Sequence, residues 1–105
     1  YLDETLANKR ETASLYADFF KSQGVSFFVE PSGTKANYWL NVIVLKDRAE
    51  REEFLQYSND NGVQTRPIWA LMTKLEPYNH CTRASVPNAE WLEDRVVNIP
   101  SSVRL

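Results

Sequence analysis

The chain holds one histidine and one cysteine, and they are neighbours, His80 and Cys81. A nucleophile and its general base must converge, and a third group must orient the base. Adjacent side chains in a loop rarely do so, and no third residue stands out. Neither residue has partners at the spacings that hold zinc, so both read as ordinary loop residues. The three glycines, at 24, 33 and 62, are too scattered to cradle a phosphate. Acidic residues fall mainly in helical stretches, where surface charge is the simplest account. Residue types therefore assign no catalytic residue and no metal ligand.

What the sequence does offer is a binding set. Arg66, Trp69, Met72 and Lys74 lie close together in NGVQTRPIWALMTKLEPY, residues 61–78, with Tyr38 and Trp39 upstream. Arginine presents a planar fork to phosphate or carboxylate. Tryptophan covers a flat ligand or anchors a partner chain. Pro67 stiffens the backbone between Arg66 and Trp69, which suits groups held in fixed positions. The competing account puts the indoles in the core and pairs Arg66 with a carboxylate. Core is the preferred reading for Trp39, and a functional one for Arg66 and Trp69.

The elements that must position this set follow from hydrophobic spacing. Over Tyr1–Gln23, Leu2, Leu6, Ala13, Tyr16 and Phe20 recur on one helical face, and Gly24 stands where a left-handed residue ends a helix. Tyr16, Phe19 and Phe20 read as core. Val25–Glu30 and Tyr38–Leu45 have strand composition and are joined by Pro31–Asn37, which predicts antiparallel neighbours. Both faces of the second strand are apolar apart from Asn41, which predicts a central strand covered on both sides. Asp47, with Glu50 three residues on, has capping-box spacing for a helix to about Asp60, stopped by Gly62. The charge run Arg48–Glu53 reads as its solvated face. A short strand over Gly62–Pro67 and a long loop from Trp69 to about Ala84 follow. Long ordered loops often carry function. A helix over Pro87–Val96, with Ala89, Leu92 and Val96 on one face, and a strand over Val97–Ile99 close the chain. The expected fold is α+β: three helices on a small, mainly antiparallel sheet of three to four strands, in the order α-β-β-α-β-α-β.

Composition sets the limits. The chain has 105 residues, 43% hydrophobic and 25% charged, enough for one domain spanning 1–105 with a modest core. With 12 basic and 14 acidic residues the net charge is −2, which gives no electrostatic case for nucleic acid. No apolar run approaches a membrane span, and no signal-peptide pattern opens the chain. A single cysteine excludes an internal disulfide and suggests the cytoplasm. Because the sequence opens at Tyr1 with no Met and no disordered lead-in before a helical pattern, it is expected to be a domain cut from a longer protein.

Taken together, GVQTRPIW, LMTKLEPY and PNAEWLEDRVVNIPSS carry a resemblance. In order and spacing they resemble the C-terminal small domain of the DegT/DnrJ/StrS family of pyridoxal-phosphate-dependent nucleotide-sugar aminotransferases. The matching features are the Thr65-Arg66-Pro67 stretch with its following aromatic, and the helix with Ala89, Glu90, Leu92 and Arg95. The strand ending in Ile99-Pro100, the Tyr38–Asn41 segment and the Lys9-Arg10 helix also match. The likeness spans nearly the whole chain and is greatest to enzymes of the legionaminic or bacillosamine type.

The resemblance implies a small α/β domain set against a larger one in a homodimeric enzyme. It implies that an amino group, usually from glutamate, passes to a 3-keto or 4-keto nucleotide sugar with pyridoxal phosphate as electron sink. The lysine that binds the cofactor belongs to the large domain in this family, and neither Lys46 nor Lys74 is read in that role. The implied share of this chain is one wall of the substrate cleft, with Arg66, Trp69, Met72, Lys74 and Tyr38 as substrate-binding residues and no cofactor-binding residue. Many relatives carry His near Met72 and Gln near Lys74, so a histidine-dependent sugar contact is not expected here. Two other accounts stay open: a free-standing α+β module that binds a protein or small ligand, and a structural domain whose Trp-rich face covers a neighbour. A lysine-bearing large domain encoded upstream would separate the first account from the module.

Overall fold

Helix α1 forms over Leu2–Ser22, where the apolar spacing predicts it. The computed structural model describes residues 1–104. Gly24 ends the helix with φ of +69°, a left-handed conformation that costs other L-residues about 1 kcal/mol or more. Only the C-terminal two-thirds of the predicted apolar stripe reaches the core. Ala13 is buried, Tyr16 and Phe20 are half-buried, and Leu2 stands in solvent.

Strand β1 (Ser26–Phe27) and strand β2 (Asn41–Val44) pair antiparallel, Ser26 opposite Val44 and Phe27 opposite Ile43. Helix α2 covers Arg48–Asp60, strand β3 Arg66–Pro67, helix α3 Pro87–Glu93 and strand β4 Val96–Ile99. The sheet order is β1-β2-β4-β3, and every pairing is antiparallel. Three helices on a four-stranded antiparallel sheet confirm the expected α+β class. The Asp47 carboxylate accepts from the Glu50 amide at 2.9 Å, so the predicted cap starts α2.

Both large helices lie on one face of the sheet. Ile43, Leu45, Val97 and Ile99 form the core there, packed by Tyr16 and Phe20 from α1 and by Phe54 and Leu55 from α2. Residues paired across β2 and β4 point to the same face, and a step of one residue points to the other. The opposite face therefore carries Val42, Val44, Val96 and Asn98, of which Val96 is buried. Val42 and Val44 are only half-buried, and Phe28 is exposed. The expectation that β2 is covered on both sides is thus not met. An antiparallel sheet tolerates one open face, and here the buried face is the one that carries Asn41.

The elements end earlier than their composition suggests, for local reasons. Tyr38 has φ of +49°, so the chain turns before Asn41 and β2 loses its first three predicted residues. Trp39 is consequently outside the sheet and 67% exposed, which overturns its reading as a core residue. The Phe28 amide still donates to Val42 O, but beyond it Glu30 takes over the backbone. Glu30 accepts from both terminal nitrogens of Arg10 and from the Ala36 amide, tying the segment between β1 and β2 to α1. Gly62 and Val63 close α2 by donating to Asn59 O and Ser58 O, which leaves only Arg66 and Pro67 for β3. Helix α3 stops at Glu93 rather than Val96. The adjacent β-branched Val96 and Val97 join the sheet instead.

The segment Pro100–Arg104 returns along α1. Tyr16 donates its hydroxyl to Pro100 O at 2.7 Å, and Lys9 donates to Ser101 O at 2.6 Å. Asn8 and Arg104 exchange two hydrogen bonds, from Asn8 Nδ2 to Arg104 O and from Arg104 N to Asn8 Oδ1. Among the described residues no helix is long and apolar enough to cross a membrane.

Candidate functional site

Arg66 owes its position to the residues on either side. Thr65 is fully buried, and its hydroxyl lies 2.6 Å from that of Ser58. Asn59 Nδ2 donates to Thr65 O. On the other side Pro67 pairs with Val97, and the Ile68 amide donates to Val96 O at 3.1 Å. Arg66 pairs with Asn98 and so projects from the open face of the sheet. Among the described residues its only side-chain hydrogen bond is from Nη1 to Thr65 O at 3.3 Å, and it forms no salt bridge with any of them. Pairing with a carboxylate, the competing account of Arg66, is not seen among the described residues. The guanidinium instead borders a groove of about 530 Å³ that it shares with Leu40, Val63, Gln64, Asn98 and Ser101.

Beyond β3 the chain folds into two short 3₁₀ turns, Met72–Lys74 and Glu76–Tyr78. Trp69 is 68% exposed and Met72 65% exposed, so neither is core. Lys74 is committed on one side. Its ammonium forms an ion pair with Glu93, whose carboxylate also accepts from the Leu71 amide at 2.7 Å. These two hydrogen bonds hold the Glu93 carboxyl below its ordinary range, the Lys74 contact most strongly. Glu93 is 7% exposed, and its backbone oxygen accepts from Arg51 Nη1 at 2.6 Å. A cavity of about 290 Å³ opens beside this cluster, lined by Arg48, Arg51, Ile68, Ala70, Lys74 and Glu93.

Tyr38 does not join this set. Its hydroxyl accepts from the Glu30 amide at 3.0 Å, and the Arg10 guanidinium lies 5.6 Å from its ring centre. That network follows β1, whereas Arg66 sits on β3 at the other edge, with β2 and β4 between them. His80 and Cys81 are exposed in the loop, and no metal-binding group of His, Cys, Asp and Glu occurs among the described residues.

Two residues of this region have no counterpart in the reading of the sequence. Arg51 falls within the charge run expected to be solvated, yet it is 7% exposed. Its helical spacing to Phe54, Leu55 and Ser58 marks the inward face of α2, and that signal was available. Glu93 lies four residues after half-buried Ala89 on the inward side of α3, where Leu92 had been expected.

The residues present do not fit pyridoxal phosphate, which needs an available lysine amine beside a phosphate cradle and a group for the ring nitrogen. Lys74 is bonded to Glu93, and Lys9 donates to Ser101 O and Trp39 O. Lys21, Lys35 and Lys46 are exposed.

Comparison with known proteins agrees with the fold. The sequence model of the DegT/DnrJ/EryC1/StrS aminotransferase family matches residues 1–105. GDP-perosamine synthase of Escherichia coli O157:H7 is 29% identical over 99 residues, covering 94% of this chain and 27% of that enzyme. The aminotransferase TlmJ of Streptoalloteichus hindustanus superposes with a TM-score of 0.86 at 23% identity, over 99% of this chain and 28% of that one. The sugar aminotransferase CalS13 of Micromonospora echinospora gives a TM-score of 0.83 at 23% identity, over 98% of this chain and 27% of that one. These likenesses establish the fold, and this chain spans about a quarter of the length of the proteins it matches. Members of this family depend on pyridoxal phosphate, and this chain belongs to the DegT/DnrJ/EryC1/StrS aminotransferase family.

Proposed function

We propose that this chain is the small domain of an aminotransferase that places an amino group on a keto nucleotide sugar, and that it forms one wall of the substrate cleft. In this reading the cofactor is held by a larger domain of the same polypeptide, because no lysine here is arranged to receive it. The amino donor is glutamate, the complete enzyme is a cytoplasmic homodimer, and the chain is inactive alone. The family match and the sugar aminotransferases of the same fold support the reaction class.

The observation that carries the reading is the state of Arg66. A guanidinium held between buried Thr65 and the sheet-paired Pro67, yet left without an anionic partner among the described residues, is arranged to meet an anion from outside. A phosphate of the nucleotide suits its fork geometry. Trp69 offers a flat exposed ring for sugar or base, and Met72 an adaptable apolar contact. Lys74 retains donors beyond the one given to Glu93.

The test is Arg66→Ala in the full-length enzyme, assayed with a panel of keto nucleotide sugars. A charge-assisted contact is worth about 1.5–3 kcal/mol, so KM is expected to rise roughly 10- to 150-fold with the donor half-reaction unchanged. An unchanged KM removes Arg66 from the site.

A further inference from the structure

Glu93 stands out as a buried carboxylate that the proposed reaction does not use. It lies on α3, and its side-chain oxygens and its backbone oxygen all bond to other elements. Its two side-chain oxygens go to the loop after β3, Oε2 to the Leu71 amide and Oε1 to the Lys74 ammonium. Its backbone oxygen goes to Arg51 on α2, which is itself buried. Leu71 and Lys74 bracket Met72 and follow Trp69 by two and five residues. The loop has few other ties at this point. Among the described residues, the other hydrogen bond tying this stretch to the sheet is from the Ile68 amide to Val96 O, before Trp69, and Arg83 donates to Thr73 O within the loop.

We infer that Glu93 is a positioning residue for the substrate wall: its carboxylate fixes the first 3₁₀ turn and thereby where Trp69 and Met72 stand. This rests on the reading of that segment as a wall of the cleft. Exposed Trp69 and Met72 have too little packing to hold a single position themselves. Without further ties such a loop samples many conformations, and a substrate would have to order it at a cost in affinity. Two charge-assisted bonds from a buried acceptor remove most of that freedom beforehand. The same residue links the loop through Arg51 to the core helix α2, so the wall is referenced to the rigid part of the domain.

Fold and position can be separated experimentally. In the full-length enzyme, Glu93→Met fills similar space with an apolar side chain while removing the acceptor of the Leu71 amide and leaving the half-exposed Lys74 ammonium to water. Glu93→Gln keeps an oxygen for the Leu71 amide. Amide exchange is measured without substrate, and KM with a panel of keto nucleotide sugars. For Glu93→Met the expected result is a domain that still unfolds cooperatively with its β2 amides protected, exchange at Leu71 and Lys74 about tenfold faster or more, and a raised KM with the donor half-reaction intact. Glu93→Gln should restore most of the protection at Leu71 and part of the KM. Unchanged exchange in Glu93→Met overturns the proposal. So does faster exchange with unchanged KM. Trp69→Ala and Arg66→Ala then show which idea failed. If either raises KM, the wall stands and only the role of Glu93 falls; if neither does, the wall itself is wrong.

Discussion

Replacing Ile43 by Ala should cost far more than replacing its neighbour Val42 by Ala, although both lie in the central strand β2. Ile43 is 0% exposed and sits between α1, α2 and Val97. The substitution removes about three methylene equivalents at about 0.8 kcal/mol each, and the void adds to that, for a total of about 3 kcal/mol. Val42 points to the open face and is half-buried, so its truncation should cost about 1 kcal/mol. The assay is urea unfolding of the 105-residue chain at constant slope. With a slope of about 1.5 kcal/mol per molar, Ile43→Ala lowers the midpoint by about 2 M and Val42→Ala by less than about 1 M. If Ile43→Ala leaves too little folded protein to measure, Ile43→Val should still cost about 1 kcal/mol. Equal costs, or a larger one at Val42, would refute the assignment of faces, because a one-residue slip exchanges the two sets of side chains.

Two further outcomes follow from local geometry. The Arg10 guanidinium, with help from the Ala36 amide, lowers the Glu30 carboxyl to about 2. A depressed folded value means that the stabilisation is complete above the ordinary carboxylate range and is lost as pH falls through about 2. An NMR titration should place the Glu30 midpoint near that value in the native chain and at an ordinary value after Arg10→Met; an ordinary midpoint in the native chain would contradict the ion pair. At Gly24, an added Cβ meets nothing within 4 Å, so Gly24→Ala should suffer only from φ of +69°. The loss expected in thermal unfolding is about 1 kcal/mol, with Gly24→Asn recovering part of it; no loss would mean that the turn is not held left-handed.

The fold was legible wherever periodicity and punctuation agreed. The stripe through Ala13, Tyr16 and Phe20, the cap at Asp47 and the left-handed glycine at 24 each act over a few residues, and each appears as the sequence implies. Strand limits were less legible because they depend on distant partners. Tyr38–Leu40 have strand composition, but the ties from Tyr38 to Glu30 and from Arg10 to Glu30 impose a turn there. Trp39 read as core for the same reason: hydrophobicity does not report whether a neighbouring layer reaches that position. In the candidate site, the residue types suited to ligands were visible and prove to be exposed. The frame beneath them was not visible, since the link from Glu93 to Leu71 joins residues 22 positions apart through a backbone amide that carries no side-chain signature.

The clasp between Asn8 and Arg104 also bears on how the molecule is made. These residues are 96 positions apart, and the Lys9–Ser101 and Tyr16–Pro100 bonds span 92 and 84. On a ribosome, the amino-terminal half of α1 is synthesised long before the segment that fastens it. Until Pro100–Arg104 emerges, the α1 donors of Asn8 and Tyr16 that this segment satisfies must be met by water. The four-stranded sheet is also incomplete until its central strand β4 arrives near the end of this chain. A nascent chain stalled short of β4 would therefore carry bare edges on β2 and β3 and a loosely held helix, a combination that invites chaperone binding before the domain can close.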